Sequence, residues 1–162
     1  MVHPSFRNVG AYVKGLRACS AQALAAGTGD ATETNGPVVD RMISGSMANS
    51  AVFMLAAVAT LAAGKKCTLK ATFQHDTDSA GGTMADVAAA LQPEGAADSV
   101  VLTLLDAGAG GTQSGFYERN VDLSSLNRYI RAQVHIDLDA GATDIGAFGA
   151  VWVLGGYDQL PV

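Results

Sequence analysis

The amino-acid sequence predicts an all-β protein: a single antiparallel β-sandwich with an extended N-terminal arm. Three observations lead there. Apolar and polar residues alternate along several short segments, those segments recur at short intervals, and glycine, proline and aspartate gather between them. Alternation with a period of two marks a strand that buries one face. Strands repeated with turn chemistry between them fold as sandwiches or barrels.

The elements follow in chain order. Residues 1–28 are assigned to the arm and residues 29–162 to the sandwich. Val9, Tyr12, Val13 and Leu16 would share one helical face, but Gly10 and Gly15 weaken a helix, so this segment is expected to take its structure from a neighbour. Residues 27–37 read as a loop, with a turn at Asn35 and Gly36 before Pro37. Residues 38–43 are expected to form a short strand. In 50–61, Val52, Phe53, Leu55 and Val58 favour a strand over the helix that the alanines would permit. Residues 67–75 set Leu69, Ala71 and Phe73 on one side and Thr68, Lys70, Thr72 and Gln74 on the other, and are expected to pair with the preceding strand through a turn at Gly64 and Lys65. Further strands are expected over 83–91, 99–105 and 113–123, parted by turns around Gly81 and Gly82, Pro93 to Gly95, and Gly108 to Gly111.

The segment 127–161 is the most regular. Ile130, Ala132, Val134, Ile136 and Leu138 alternate with Arg131, Gln133, His135 and Asp137, which is a strand with one wet face. Residues 145–154 are apolar on both sides and hold the single tryptophan, Trp152, so they read as a central strand packed on two faces and forming a hairpin with the strand before it.

Composition narrows the function classes. A chain of 162 residues suits one domain with a real core. Charged residues are 15% of the chain, against about 25% in ordinary globular proteins, while hydrophobic residues reach 49%. Part of the surface is therefore expected to be covered. A membrane does not account for this, because the longest apolar run, 51–63, is shorter than the roughly 20 residues of a bilayer-crossing helix and ends at Gly64, Lys65 and Lys66. Burial in a protein assembly does. The first residues show no apolar stretch after a basic start, so no secretory signal is expected. A net charge of −5 disfavours nucleic acid, whose phosphates reward a basic face. The charge is uneven: Arg7, Lys14 and Arg17 precede Asp30 with no acid among them, a basic arm suited to an acidic neighbour.

Reactive constellations are sparse. Cys19 and Cys67 lack a CxxC pattern and read as reduced, packed thiols. His75 with Asp76 and Asp78, and His135 with Asp137, fall short of three or four converging ligands, and the acidic loop lacks calcium-loop spacing, so no metal site is assigned. Ser44, Ser46, Ser124 and Ser125 lack a nucleophile elbow. The glycines at 108, 110 and 111 and the pair Gly64-Lys65 lack a phosphate-binding pattern and read as turns. No catalytic residue and no cofactor is assigned. Trp152 reads as core rather than as a sugar platform. Arg128 and Arg131, flanking Tyr129, are expected to pair with local acids.

CTLKATFQHDTDSAGGTMADV, over 67–87, resembles a pattern in small structural proteins of tailed-phage virions, and NRYIRAQVHIDL with GAVWVLGGYDQLP resembles their closing strands. The family is that of phage capsid cement or decoration proteins. The resemblance implies a sandwich of jelly-roll type and a non-enzymatic role: a dimer or trimer, made in the bacterial cytoplasm, that binds the major capsid protein lattice on the virion exterior. A tail or baseplate component and a carbohydrate-binding module are the alternatives. The residues expected at an interface are Phe6, Arg7, Tyr12, Lys14, Phe116, Tyr117, Tyr157 and Leu160.

Overall fold

The computed structural model describes residues 12–25, 32–43, 45–91, 102–139 and 144–157. The strands are β1 (Lys14–Ala25), β2 (Thr34–Asn35), β3 (Val39–Asp40), β4 (Met42–Ile43), β5 (Ser46–Leu61), β6 (Lys65–Asp76), β7 (Ala85–Asp86), β8 (Leu102–Ala107), β9 (Gly111–Asp122), β10 (Tyr129–Leu138) and β11 (Ile145–Tyr157). Every pairing is antiparallel. One sheet runs β1-β11-β5-β9, with β4 paired to the start of β5. The other places β2 and β3 beside β10, then β6, then β7 and β8.

The order identifies the fold. With β2 and β3 taken as one interrupted strand, β7 and β8 as another, and β4 as a short partner of β5, the eight strands lie 1-8-3-6 in one sheet and 2-7-4-5 in the other. The sandwich is a jelly roll.

That winding corrects two expected hairpins. β10 and β11 lie in different sheets, β10 against β6 and β11 between β1 and β5. β5 and β6 are likewise split between the sheets. Alternation tells a strand which of its faces is buried, but both sheets offer the same buried side, so it cannot name the partner. Gly64 and Gly110, both with positive φ, turn the chain from one sheet to the other, and the Gly64 and Gly110 amides both donate to the Ala107 carbonyl at 2.9 and 3.0 Å.

Other boundaries also move. Residues 14–25, expected within the arm, form the edge strand of the first sheet, with Ala18 and Cys19 buried. The turn expected at Asn35 and Gly36 is extended backbone pairing with β10 through Asn35 and Gln133, while the Gly36 amide donates to Ala132 at 2.8 Å. The strand expected over 83–91 shrinks to β7 and a 3-10 turn at Ala89–Leu91, as its alanine-rich sequence has little β preference. Residues 99–101 lie outside the described residues.

The core fills the space between the sheets. Phe53, Phe73 and Trp152 are each 1% exposed or less, with ring centroids 5.1 to 5.3 Å apart, tilted as aromatic pairs prefer. Leu55, Leu69, Val134, Ile136, Leu138 and Leu154 surround them. Arg41, also buried, closes one corner: its guanidinium donates to the Ala48, Leu126 and Asn127 carbonyls. Burial pulls its pKa down.

Candidate interaction surface

The pleat of the first sheet sends alternate side chains away from the core. In register across β1, β11, β5 and β9, the outward rows are Ala23-Ala147-Val58-Ser114 and Arg17-Val151-Met54-Glu118, and Gly149, Ala56 and Phe116 stand together between them. This face is mostly apolar, yet it is open to solvent. Ile145 is 57% exposed, Phe116 56%, and Val58 and Val151 44% each. Together with Val13, these are all the exposed large hydrophobic residues among the described ones, and they lie on or beside one sheet. Shallow depressions floored by Ala56, Ala147 and Gly149, and by Ala23, Val58 and Ile145, cross the same face.

β11 is therefore central, as its sequence predicts, but it is packed on one face only. Phe148, Ala150, Trp152 and Leu154 enter the core, while Ile145 and Val151 point outward. A doubly apolar strand is expected to be packed on both faces, and β11 is not. The same signal marks a strand whose second face lies bare, and Val58, Val151 and Ile145 were missed for that reason.

The opposite outer face has the reverse character. Arg131 Nε donates to Gln74 Oε1 at 2.8 Å, and Gln74 Nε2 donates to Asp86 Oδ1 at 2.7 Å, a polar chain across β10, β6 and β7. Gln133 Nε2 donates to Asn35 Oδ1 at 2.8 Å. Arg128 forks onto Asp40, with Nε to Oδ1 at 2.9 Å and Nη2 to Oδ2 at 2.6 Å, which pulls the Asp40 pKa down. Arg128 thus finds the expected acid, whereas Arg131 takes a glutamine. Groups so occupied with one another carry a weaker demand for a partner than bare apolar surface does.

The acidic loop after β6 is organised by Asp76. Its carboxylate accepts from the Asp78 amide at 3.1 Å, the Thr83 amide at 3.0 Å and the Thr83 hydroxyl at 3.1 Å, and these donors hold its pKa below the usual value. His75 Nδ1 accepts from the Asn127 amide at 3.2 Å. Asp76 and His75 are thus engaged in the fold, and no group of three or more ligand side chains meets among the described residues. Cys19 and Cys67 are free and buried. Burial, with Asp137 adding to it, pushes the Cys67 thiol up to about 11.

The structure scatters the residues expected at an interface. Phe116 projects from the apolar face; Tyr117, next to it, packs inward with its ring 6.2 Å from Phe53. Lys14 is exposed at the start of β1, with Tyr12 half-buried before it. Tyr157 packs against the core, its buried hydroxyl without a hydrogen-bond partner among the described residues and its pKa raised by burial. Phe6, Arg7 and Leu160 lie outside the described residues.

No protein-family model matches the chain, and no curated protein does. Solved structures do. A structure of the infectious bursal disease virus Gx strain aligns at 12% identity and a TM-score of 0.45, over 88% of this chain and 31% of that one. The xylan-binding module CBM15 aligns at 12% identity and a TM-score of 0.31, over 89% and 96%. The Eiger TNF of S. frugiperda aligns at 6% identity and a TM-score of 0.32, over 86% and 93%. This chain spans about a third of the length of the viral chain it matches.

Proposed function

We propose that the protein is a non-enzymatic structural component of a phage virion, a head cement that binds the outer surface of the major capsid protein lattice. The observation that carries this reading is the split between its outer faces: one is polar and hydrogen-bonded within the chain, the other apolar and bare. An exposed apolar face of this extent marks an interaction site, and here it is assigned to other protein. The likeness of 67–87 and of the closing strands to phage virion proteins supplies the setting. A brace of this kind needs no reacting group, since many copies, each adding a modest interface, sum to a large resistance. A sugar-binding role would call for a row of exposed flat aromatics, but among the described residues Phe116 alone is exposed, while Trp152, Phe53, Phe73 and Phe148 are buried.

The test is co-sedimentation with undecorated phage shells. Binding that saturates at a fixed ratio to the shell subunit, with shells that then resist heat longer, is the expected result. Protein left wholly in the supernatant at micromolar concentration overturns the reading.

A further inference from the structure

We propose that the apolar outer face of the β1-β11-β5-β9 sheet is the seam of a twofold dimer, in which a second copy of this chain lies face to face with Arg17 of each copy paired to Glu118 of the other. The inference deepens the reading above, on which it rests for the statement that the face is covered by protein; with this face turned inward, the shell meets the remaining surface of the dimer.

Size is the first argument. Four strands about 4.8 Å apart and about twelve residues long, at roughly 3.3 Å each, make a face of about 750 Å². A stable pairwise interface takes about 800 Å² from each partner. The face is thus large enough to hold two copies together without help from elsewhere.

Charge is the second. Arg17 and Glu118 stand at opposite edges of one row, Arg17-Val151-Met54-Glu118, three strand spacings or about 14 Å apart. They cannot meet within one chain, and among the described residues neither has an ion-pair partner. A closed pair of identical copies must be self-complementary. A twofold axis in the plane of the seam, parallel to the strands and between β11 and β5, lays β1 of one copy over β9 of the other and keeps each row in register. Arg17 then faces Glu118 twice, across Val151 and Met54. Packed sheets cross at about 30°, which shifts the edges by about one residue, within the reach of both side chains.

Shape is the third. The same axis brings Phe116, the exposed aromatic of β9, over the β1 edge near Ala21, where Gly149 and Ala56 floor a depression. A large side chain meets small ones, and this happens twice.

The test is mass in solution by light scattering on the full chain, with charge variants. Wild type is expected at twice 16.5 kDa. R17E and E118R should each raise the dimer dissociation constant at least about tenfold, by placing like charges opposite each other. The R17E/E118R double variant should restore it. Ala56→Asp, at an exposed position, should give a monomer with an unchanged circular dichroism spectrum. A monomeric or trimeric wild type, or a double variant no tighter than either single, overturns the proposal. Parallel co-sedimentation separates the two readings: a monomer that still saturates shells sinks the seam alone, and a dimer that ignores shells sinks the cement role alone.

Discussion

Gly36 lies so close to Ala18 that a β-carbon at position 36 would stand 1.9 Å from the Ala18 carbonyl oxygen and 2.9 Å from that of Ala132. The obstacle is backbone on both sides, so no side chain can swing away. The edge of one sheet is thereby seated against the edge of the other, with β1 and β10 held by a residue that has no side chain. Gly36→Ala should cost about 3 kcal/mol as an overpacked site. Urea unfolding would show a lower midpoint with little change in slope; an unchanged midpoint would mean that the two edges can part freely.

Arg41 carries a second corner. Its guanidinium fork satisfies carbonyls from β5 and from the loop before β10, with Nε 3.0 Å from the Asn127 oxygen. Arg41→Met leaves those acceptors buried and unpaired, and should destabilise by about 3 kcal/mol. Arg41→Lys should recover little, because a point-like ammonium cannot reproduce a planar fork. Equal stability of the lysine variant and the wild type would count against this role.

Trp152 and Val151 are neighbours with opposite duties. Trp152 is 1% exposed, between Phe53 and Phe73, whereas Val151 looks outward at 44%. Trp152→Ala should cost about 4 kcal/mol by leaving a cavity. Val151→Thr should change unfolding of the dilute monomer by less than about 0.5 kcal/mol. Similar losses at both sites would contradict the facing of β11.

The thiols should be silent in the folded protein. With Cys67 pushed up to about 11 and Cys19 also raised, both by burial first, very little thiolate exists near pH 8. A chromogenic disulfide reagent should find almost none in buffer and two thiols per chain in denaturant. Prompt reaction of both in buffer would place them at the surface.

Acid should weaken the fold through three carboxyls. Asp40 is held down by the hydrogen bond from Arg128, Asp76 by the Asp78 and Thr83 amides, and Asp122 by the Ser124 amide. A carboxyl whose folded pKa is depressed contributes stability that is complete above its unfolded value, about 4, and is lost as pH falls through the folded one. Stability should therefore be level from pH 7 to about 5 and decline below about 4. Asp76→Asn should flatten that decline, as followed by thermal melts; a decline of unchanged steepness would remove Asp76 from the account.

Much of the architecture was legible in the sequence because strand alternation is a local property. Ile130 to Leu138 shows its buried side in the order of its letters, and the structure buries those same residues. The low charge was legible as a sign of apolar surface, but not its location. Phe116 was picked out among the exposed residues; Val58, Val151, Arg17 and Glu118 were not, because their place on one face comes from neighbours distant in the chain.

By itself, then, the amino-acid sequence determined that this protein would be built of amphipathic strands, with Trp152 inside and few reactive side chains. Tertiary structure alone decided that β10 and β11 part company into different sheets, and that the second apolar side of β11 is bare rather than packed. The physical reason is that a period of two specifies only which way a side chain points. What it points at is fixed by long-range pairing, where every strand offers the same backbone hydrogen bonds and the winding of the whole chain chooses among them.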